Sequence, residues 1–163
     1  MAGNYAFIDS QNVHRGMQRA GWALDWRKFR EHLQHHYGVT RAYIFIGYVQ
    51  ANESLYHNLQ AAGFFMKYKN VTYQNGGKPK GNVDAELVLQ TMIDFMENNY
   101  EKAVIVTSDG DFACLVQYLY EKGRLLRVLS PTREKCSALL KRAAKEKIGY
   151  LEEARRRLEY KKN

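Results

Sequence analysis

Cysteine is scarce: Cys114 and Cys136 are the only two, with no Cys-x-x-Cys pair and no histidine at a zinc-ligand spacing. That excludes a disulfide framework and a small structural zinc site, and leaves two reduced thiols as the plain reading. No apolar run approaches the roughly 18–20 residues that a bilayer-crossing helix requires. Residues 1–8 carry no basic stretch followed by a long apolar one, so no secretory signal is expected. Together these absences predict a cytoplasmic chain with no membrane partner. Two phosphate-binding signatures are also missing, Gly-x-Gly-x-x-Gly after the first strand and Gly-x-x-x-x-Gly-Lys-Ser/Thr. There is no internal repeat, no low-complexity segment and no obvious linker.

What remains is a chain of 163 residues, 45% hydrophobic and 26% charged, which suits one globular domain with a substantial core. The net charge of +8 is unevenly placed: residues 133–163 hold 11 Lys+Arg against 5 Asp+Glu, residues 1–132 hold 14 against 12. A clustered basic excess favours a polyanion such as nucleic acid, or else forms a solvated helix face.

Strand and helix patterns alternate five times along the chain. Strands are predicted at 5–8, 41–48, 64–69, 102–107 and 124–129, with helices over 12–20, 26–36, 53–62, 83–98 and 112–121. Asp25 and Asn82 suit helix caps, and Gly63 and Gly123 suit helix stops. Residues 70–82 carry Gly76, Gly77, Pro79 and Gly81 and read as a loop. Everything after Pro131 reads as helix, broken at Gly149. This pattern predicts a three-layer α/β fold, a central parallel sheet of about five strands with helices on both faces. The expected division is a domain over residues 1–148 and a basic helical extension over 149–163.

In such sheets ligands bind beyond the carboxyl ends of the strands. Three segments place acids there. Asp9 follows the first strand in Phe7-Ile8-Asp9-Ser10-Gln11-Asn12, and Asp109 and Asp111 follow the fourth in Ser108-Asp109-Gly110-Asp111-Phe112. Asp84 opens a helix in Lys80-Gly81-Asn82-Val83-Asp84. If the first and fourth strands are neighbours, these acids share one crevice. Carboxylates a few ångströms apart repel one another unless a cation neutralises them, and an all-oxygen set suits Mg²⁺ or Mn²⁺. Such an ion can hold a phosphate and activate water. Taken singly, each acid also suits a helix cap, a turn or a favourable place at a helix N-terminus. Asn12 offers an amide to Asp9 or to substrate, Lys80 a charge for a phosphate, and Gly110 a sharp turn between two acids.

These three motifs, in this order, resemble the NYN domain family of LabA-like proteins, within the PIN-like nuclease superfamily; the resemblance covers about residues 3–145. It implies a PIN-like sheet, one or two Mg²⁺ or Mn²⁺ ions and hydrolysis of RNA phosphodiester bonds. By family pattern Asp9, Asp84 and Asp109 are the principal metal-site acids, Asp111 is a fourth acid, and Asn12 is the polar partner after the first strand. The family's Ser-Gly-Asp is here Thr107-Ser108-Asp109, so Ser108 is expected to accept the turn with its hydroxyl toward the site.

A haloacid-dehalogenase-type phosphatase would need an acid where Gln11 stands. The rival from another class is an RNA-binding or assembly module with little or no cutting, whose Tyr68, Tyr73, His35 and His36 stack on unpaired bases. DNA remains an alternative to RNA. The tail residues Arg155, Arg156, Arg157, Lys161 and Lys162 either grip phosphates or form the polar face of a helix. In the second case Leu151, Ala154 and Leu158 face the body or the second subunit of a homodimer.

Overall fold

The computed structural model describes residues 3–73, 76–77, 79–80 and 82–162. In chain order it begins β1 (Asn4–Asp9), α1 (Ser10–Ala20), α2 (Trp26–Tyr37), β2 (Val39–Tyr48), α3 (Glu53–Ala61) and β3 (Phe65–Asn70). A short antiparallel ribbon, β4 (Thr72–Tyr73) and β5 (Pro79–Lys80), precedes α4 (Asp84–Met96). Then come β6 (Ala103–Val106), α5 (Ala113–Glu121), β7 (Leu125–Ser130), α6 (Ala138–Ala144), β8 (Ile148–Tyr150) and α7 (Arg155–Leu158).

Six strands form one parallel sheet in the order β3-β2-β1-β6-β7-β8. The alternating side chains of β1 divide the core. Ala6 and Ile8 face a cluster with Val13 and Met17 of α1 and Phe29 and Leu33 of α2. Phe7 faces a second cluster with Leu87 of α4, Leu119 of α5 and Leu140 of α6. This period-two division is what a sheet covered on both faces requires, and it explains why β6 is buried at all four residues. The expected three-layer architecture is therefore present.

Two details differ from the sequence reading. The sheet has a sixth strand where helix was expected: α6 ends at Lys145 in a positive-φ conformation, and β8 pairs with β7 from Val128↔Ile148 to Ser130↔Tyr150. Gly149, expected to break a helix, lies in that strand, where an added Cβ would stand 3.2 Å from Leu129. Local composition carries no trace of a partner strand about twenty residues away. The loop over 70–82 likewise contains the β4–β5 ribbon.

The segment after β8 docks on the body. Leu151 and Leu158 are buried in the cluster with Ile8, and Ala154 packs against it. Backbone bonds from Asp25 to the Leu158 carbonyl and from Tyr160 to the Ala23 carbonyl, both 2.8 Å, tie the tail to the α1–α2 connection. These apolar residues are thus used within the chain and offer no face to a second copy. Leu89, Ile93 and Met96 are exposed in a stripe along α4.

Candidate functional site

β1 and β6 pair in register from Tyr5↔Ala103 to Ile8↔Val106, so their carboxyl ends lie side by side. The sheet order reverses here, with β2 on one side of β1 and β6 on the other, and the crevice opens at that point. Asp9 ends β1 and caps α1, its Oδ1 accepting from the Asn12 backbone N–H at 3.4 Å. Thr107, after β6, donates its hydroxyl to Asp9 Oδ2 at 3.2 Å and accepts from the Asp109 N–H at the same distance. One threonine thus couples the two acid-bearing loops.

Asp109 caps the 3₁₀ turn Gly110–Phe112 by accepting from the Asp111 N–H at 2.9 Å. Asp84 begins α4 and donates its N–H to Asn82 Oδ1 at 2.7 Å. Lys69 bonds the Asn82 carbonyl at 2.7 Å and pairs with Glu86, which fixes the approach to α4 from the β3 side. Each acid therefore does perform the local capping or helix-start role that sequence alone allowed. They also converge: one carboxylate oxygen each from Asp9, Asp84 and Asp109 lies within 4.8 Å of the others. Asp111 is exposed and stands outside that triad, although its charge is felt at Asp84.

Electrostatics match the crowding. Asp9 is only 5% exposed. Burial chiefly, with the charges of Asp84 and Asp109 adding to it, pushes its carboxyl up to about 6. Burial and then Asp109 raise Asp84 as well. Among the described residues none of the three acids is in an ion pair. Three hard oxygen donors at this spacing, partly desolvated and without a cationic partner, fit a divalent cation such as Mg²⁺ or Mn²⁺.

Asn12 and Ser108 bind each other. Asn12 Oδ1 accepts from the Ser108 N–H at 2.8 Å and from its hydroxyl at 3.0 Å, clamping α1 to the loop after β6. Ser108 does not take a positive φ, so it stands where the family has glycine without strain. Gly110 does not take one either. It is required for closeness, since a Cβ there would lie 2.5 Å from Ser137 Oγ. The backbone of Lys80 pairs with Thr72, and its side chain lies outside the described residues, as does Gly81. Replacing Asn12 by Ala leaves the Ser108 N–H without its acceptor; about 1–3 kcal/mol of stability should be lost. A denaturation midpoint unchanged from wild type would contradict the clamp.

The acids line a cleft of about 120 Å³ with Gln11, Asn12, Arg15, Asn82 and Val83. An adjoining cleft shares Asn12 and Arg15 and adds Arg19, Ser108 and Lys135. Arg15 and Arg19 went unrecognised in the sequence. The available signal was the spacing of Asn12, Arg15 and Arg19, which puts them along one side of α1. Of the C-terminal cations, Lys135 reaches this region, whereas Arg133 pairs with Glu153 and Arg155 with Glu159. His36 stacks on His32 at 4.9 Å, while Tyr68 and Tyr73 are exposed.

The NYN domain model matches residues 5–151. This chain belongs to the NYN domain family. The matched span takes in all three acidic motifs and runs through β8, so the sixth strand falls within the NYN domain. No curated protein matches the chain. Among solved structures, a protein of unknown function from Vibrio parahaemolyticus is 19% identical with a TM-score of 0.76, over 92% of this chain and 93% of that one. At that identity the likeness shows a shared fold. No helix among the described residues is long and apolar enough to cross a membrane.

Proposed function

We propose that this NYN domain is a metal-dependent ribonuclease, with Asp9, Asp84 and Asp109 as ligands of Mg²⁺ or Mn²⁺ and Asp111 in support. The convergence of three carboxylates at the switch point of the sheet carries this reading. When bound, the ion would supply a polarised phosphate and a water of lowered pKa for in-line hydrolysis. The chain's own residues do the rest. Thr107 orients Asp9 while holding the Asp109 backbone. The Asn12–Ser108 clamp keeps α1 and the β6 loop at a constant separation. Arg15, Arg19 and Lys135 line the cleft beside the acids, where the phosphates flanking the cut would lie.

The test is cleavage of single-stranded and structured RNA, and of matching DNA, with Mg²⁺, Mn²⁺ or chelator. Cleavage of RNA that chelator abolishes is expected. Chelator-resistant cutting would overturn the metal reading, and preferential cutting of DNA would overturn the substrate. RNA binding with a steep salt dependence but no cleavage would favour the binding-module alternative. Replacing Arg15, Arg19 and Lys135 together by Ala should weaken RNA binding and lower the slope of log affinity against log salt by roughly 2, about 0.7 for each phosphate left unneutralised. An unchanged slope would place the phosphate path elsewhere.

A further inference from the structure

On the side of the acids away from the basic cleft lies a larger cleft, about 410 Å³, bounded by the start of α1, β2 and α3. Its size falls in the range of pockets that enclose small organic ligands. Its surfaces are aromatic and aliphatic: Trp26, Phe45, Leu55 and Tyr56 contribute to the lining. The shape is held in advance. Trp26 meets Phe29 and Phe64 edge-on, at 6.0 and 5.7 Å between ring centres. Tyr56 accepts from the Val49 N–H at 2.9 Å and donates to the Gly47 carbonyl at 3.3 Å, so its hydroxyl is engaged with the backbone. The polar groups of the lining are of another kind: the buried Ser10 and the exposed side chains of Gln11, His14 and Asn52.

We propose that this cleft is a nucleobase pocket, which takes the unpaired base of the nucleotide beside the scissile phosphate and so selects single-stranded RNA. The inference rests on the nuclease reading above and deepens it. Its carrying observation is continuity: Gln11 and Val83 line both this cleft and the acidic one. Gln11 lies two residues after Asp9 and Val83 one residue before Asp84. A nucleotide whose phosphate lies at the acids therefore has an apolar recess next to it. A planar heterocycle suits that recess, with a π-face for Trp26 and an edge of donors and acceptors for the amides of Gln11 and Asn52. A base enters such a pocket only when it is unpaired and unstacked, which in a duplex costs a few kcal/mol and so favours single strands. The basic cleft on the opposite side then receives the continuing backbone, which gives the strand one direction across the site.

The test uses the full chain and two readouts. In the first, a single-stranded oligoribonucleotide is made abasic at one position at a time around the cleaved bond. Removing the base at one adjacent position should lower kcat/KM roughly tenfold or more, the size of a missing base–aromatic stack. The same series is run on Leu55→Trp. Leu55 is 42% exposed in the first turn of α3, so the added ring fills the cleft without disturbing the core. This variant should cut the intact substrate as poorly as wild type cuts the abasic one, and gain nothing from the base. In the second readout, saturation-transfer NMR with adenosine 5′-monophosphate should mark the base protons above the ribose protons, and Leu55→Trp should abolish the effect. Cleavage that is indifferent to every abasic position overturns the pocket and leaves the nuclease standing. Base-selective transfer that disappears in Leu55→Trp, with no RNA cut, upholds the pocket and overturns the nuclease. No transfer and no cleavage overturn both.

Discussion

Replacing Asp109 by Asn should abolish metal-dependent cleavage while leaving the fold intact. The asparagine keeps a carbonyl oxygen to accept the Asp111 N–H that Asp109 accepts at 2.9 Å, so the 3₁₀ turn persists. What it loses is the negative charge and one of the two carboxylate oxygens, so a neutral amide stands where the triad has an anionic donor. Losing a group that merely orients a metal ligand costs roughly 10–100-fold in affinity or activity. Loss of the ligand itself should exceed about a hundredfold. A second readout follows from linkage: a cation at a hundred times its Kd stabilises the folded chain by about 2.7 kcal/mol. Thermal melts with and without Mn²⁺ should therefore show a shift in wild type and almost none in Asp109→Asn. A variant that cuts normally, or that keeps the full Mn²⁺ shift, would remove Asp109 from the site.

Replacing Asp9 by Asn should make the metal-free chain more stable. Burial and two neighbouring acids raise the Asp9 carboxyl from 3.8 to about 6. The folded state thus holds that proton more tightly than the unfolded chain does. The stability this contributes is fully present below about pH 4 and is lost as pH rises through about 6. At pH 7 the ionised carboxylate costs on the order of 2–3 kcal/mol, at 1.36 kcal/mol per unit of pKa. The substituted amide has no proton to lose; its one oxygen can keep accepting the Asn12 N–H while its NH2 group donates to the Thr107 hydroxyl oxygen. The melting temperature at pH 7 without metal should then rise by roughly 5–10 °C, and activity should vanish. The gain should shrink below about pH 4, where wild-type Asp9 is neutral too. Equal melting temperatures of the two chains at pH 7 would mean that the acids are not crowded. A site that is unstable until a cation neutralises it is a common compromise between stability and function.

Much of this was legible in the chain itself. The buried run of β6 and the alternating pattern of strands and helices imply a parallel sheet covered on both faces, because only such a sheet buries a strand on both sides. Asp9, Asp109 and Asp84 were legible as candidates that converge, because a carboxylate just past a parallel strand, or opening the helix beside it, faces the ligand edge of the sheet. Arg15 and Arg19 were harder, since two exposed cations on a helix look like any solvated face until the loop carrying Lys135 is placed against them. The partner of Ser108 was not legible: its hydroxyl bonds Asn12, a residue 96 positions away, and no local pattern encodes that contact.

The sequence by itself determined the layer architecture, the strand ends and the identity of the acids, because these follow from hydrophobic period and turn chemistry within a few residues. Tertiary structure alone decided three things. It made β1 and β6 neighbours, which turns separate caps into one metal-sized triad. It drew β8 into the sheet and packed Leu151 and Leu158 of the tail against the body, one of the two arrangements composition allowed, while Arg155, Arg156 and Arg157 stay exposed. And it set an aromatic recess and a basic cleft on either side of the acids. Each depends on pairing between segments far apart in the chain, and the free energy of such pairing resides in buried surface shared by both partners, which neither segment displays alone.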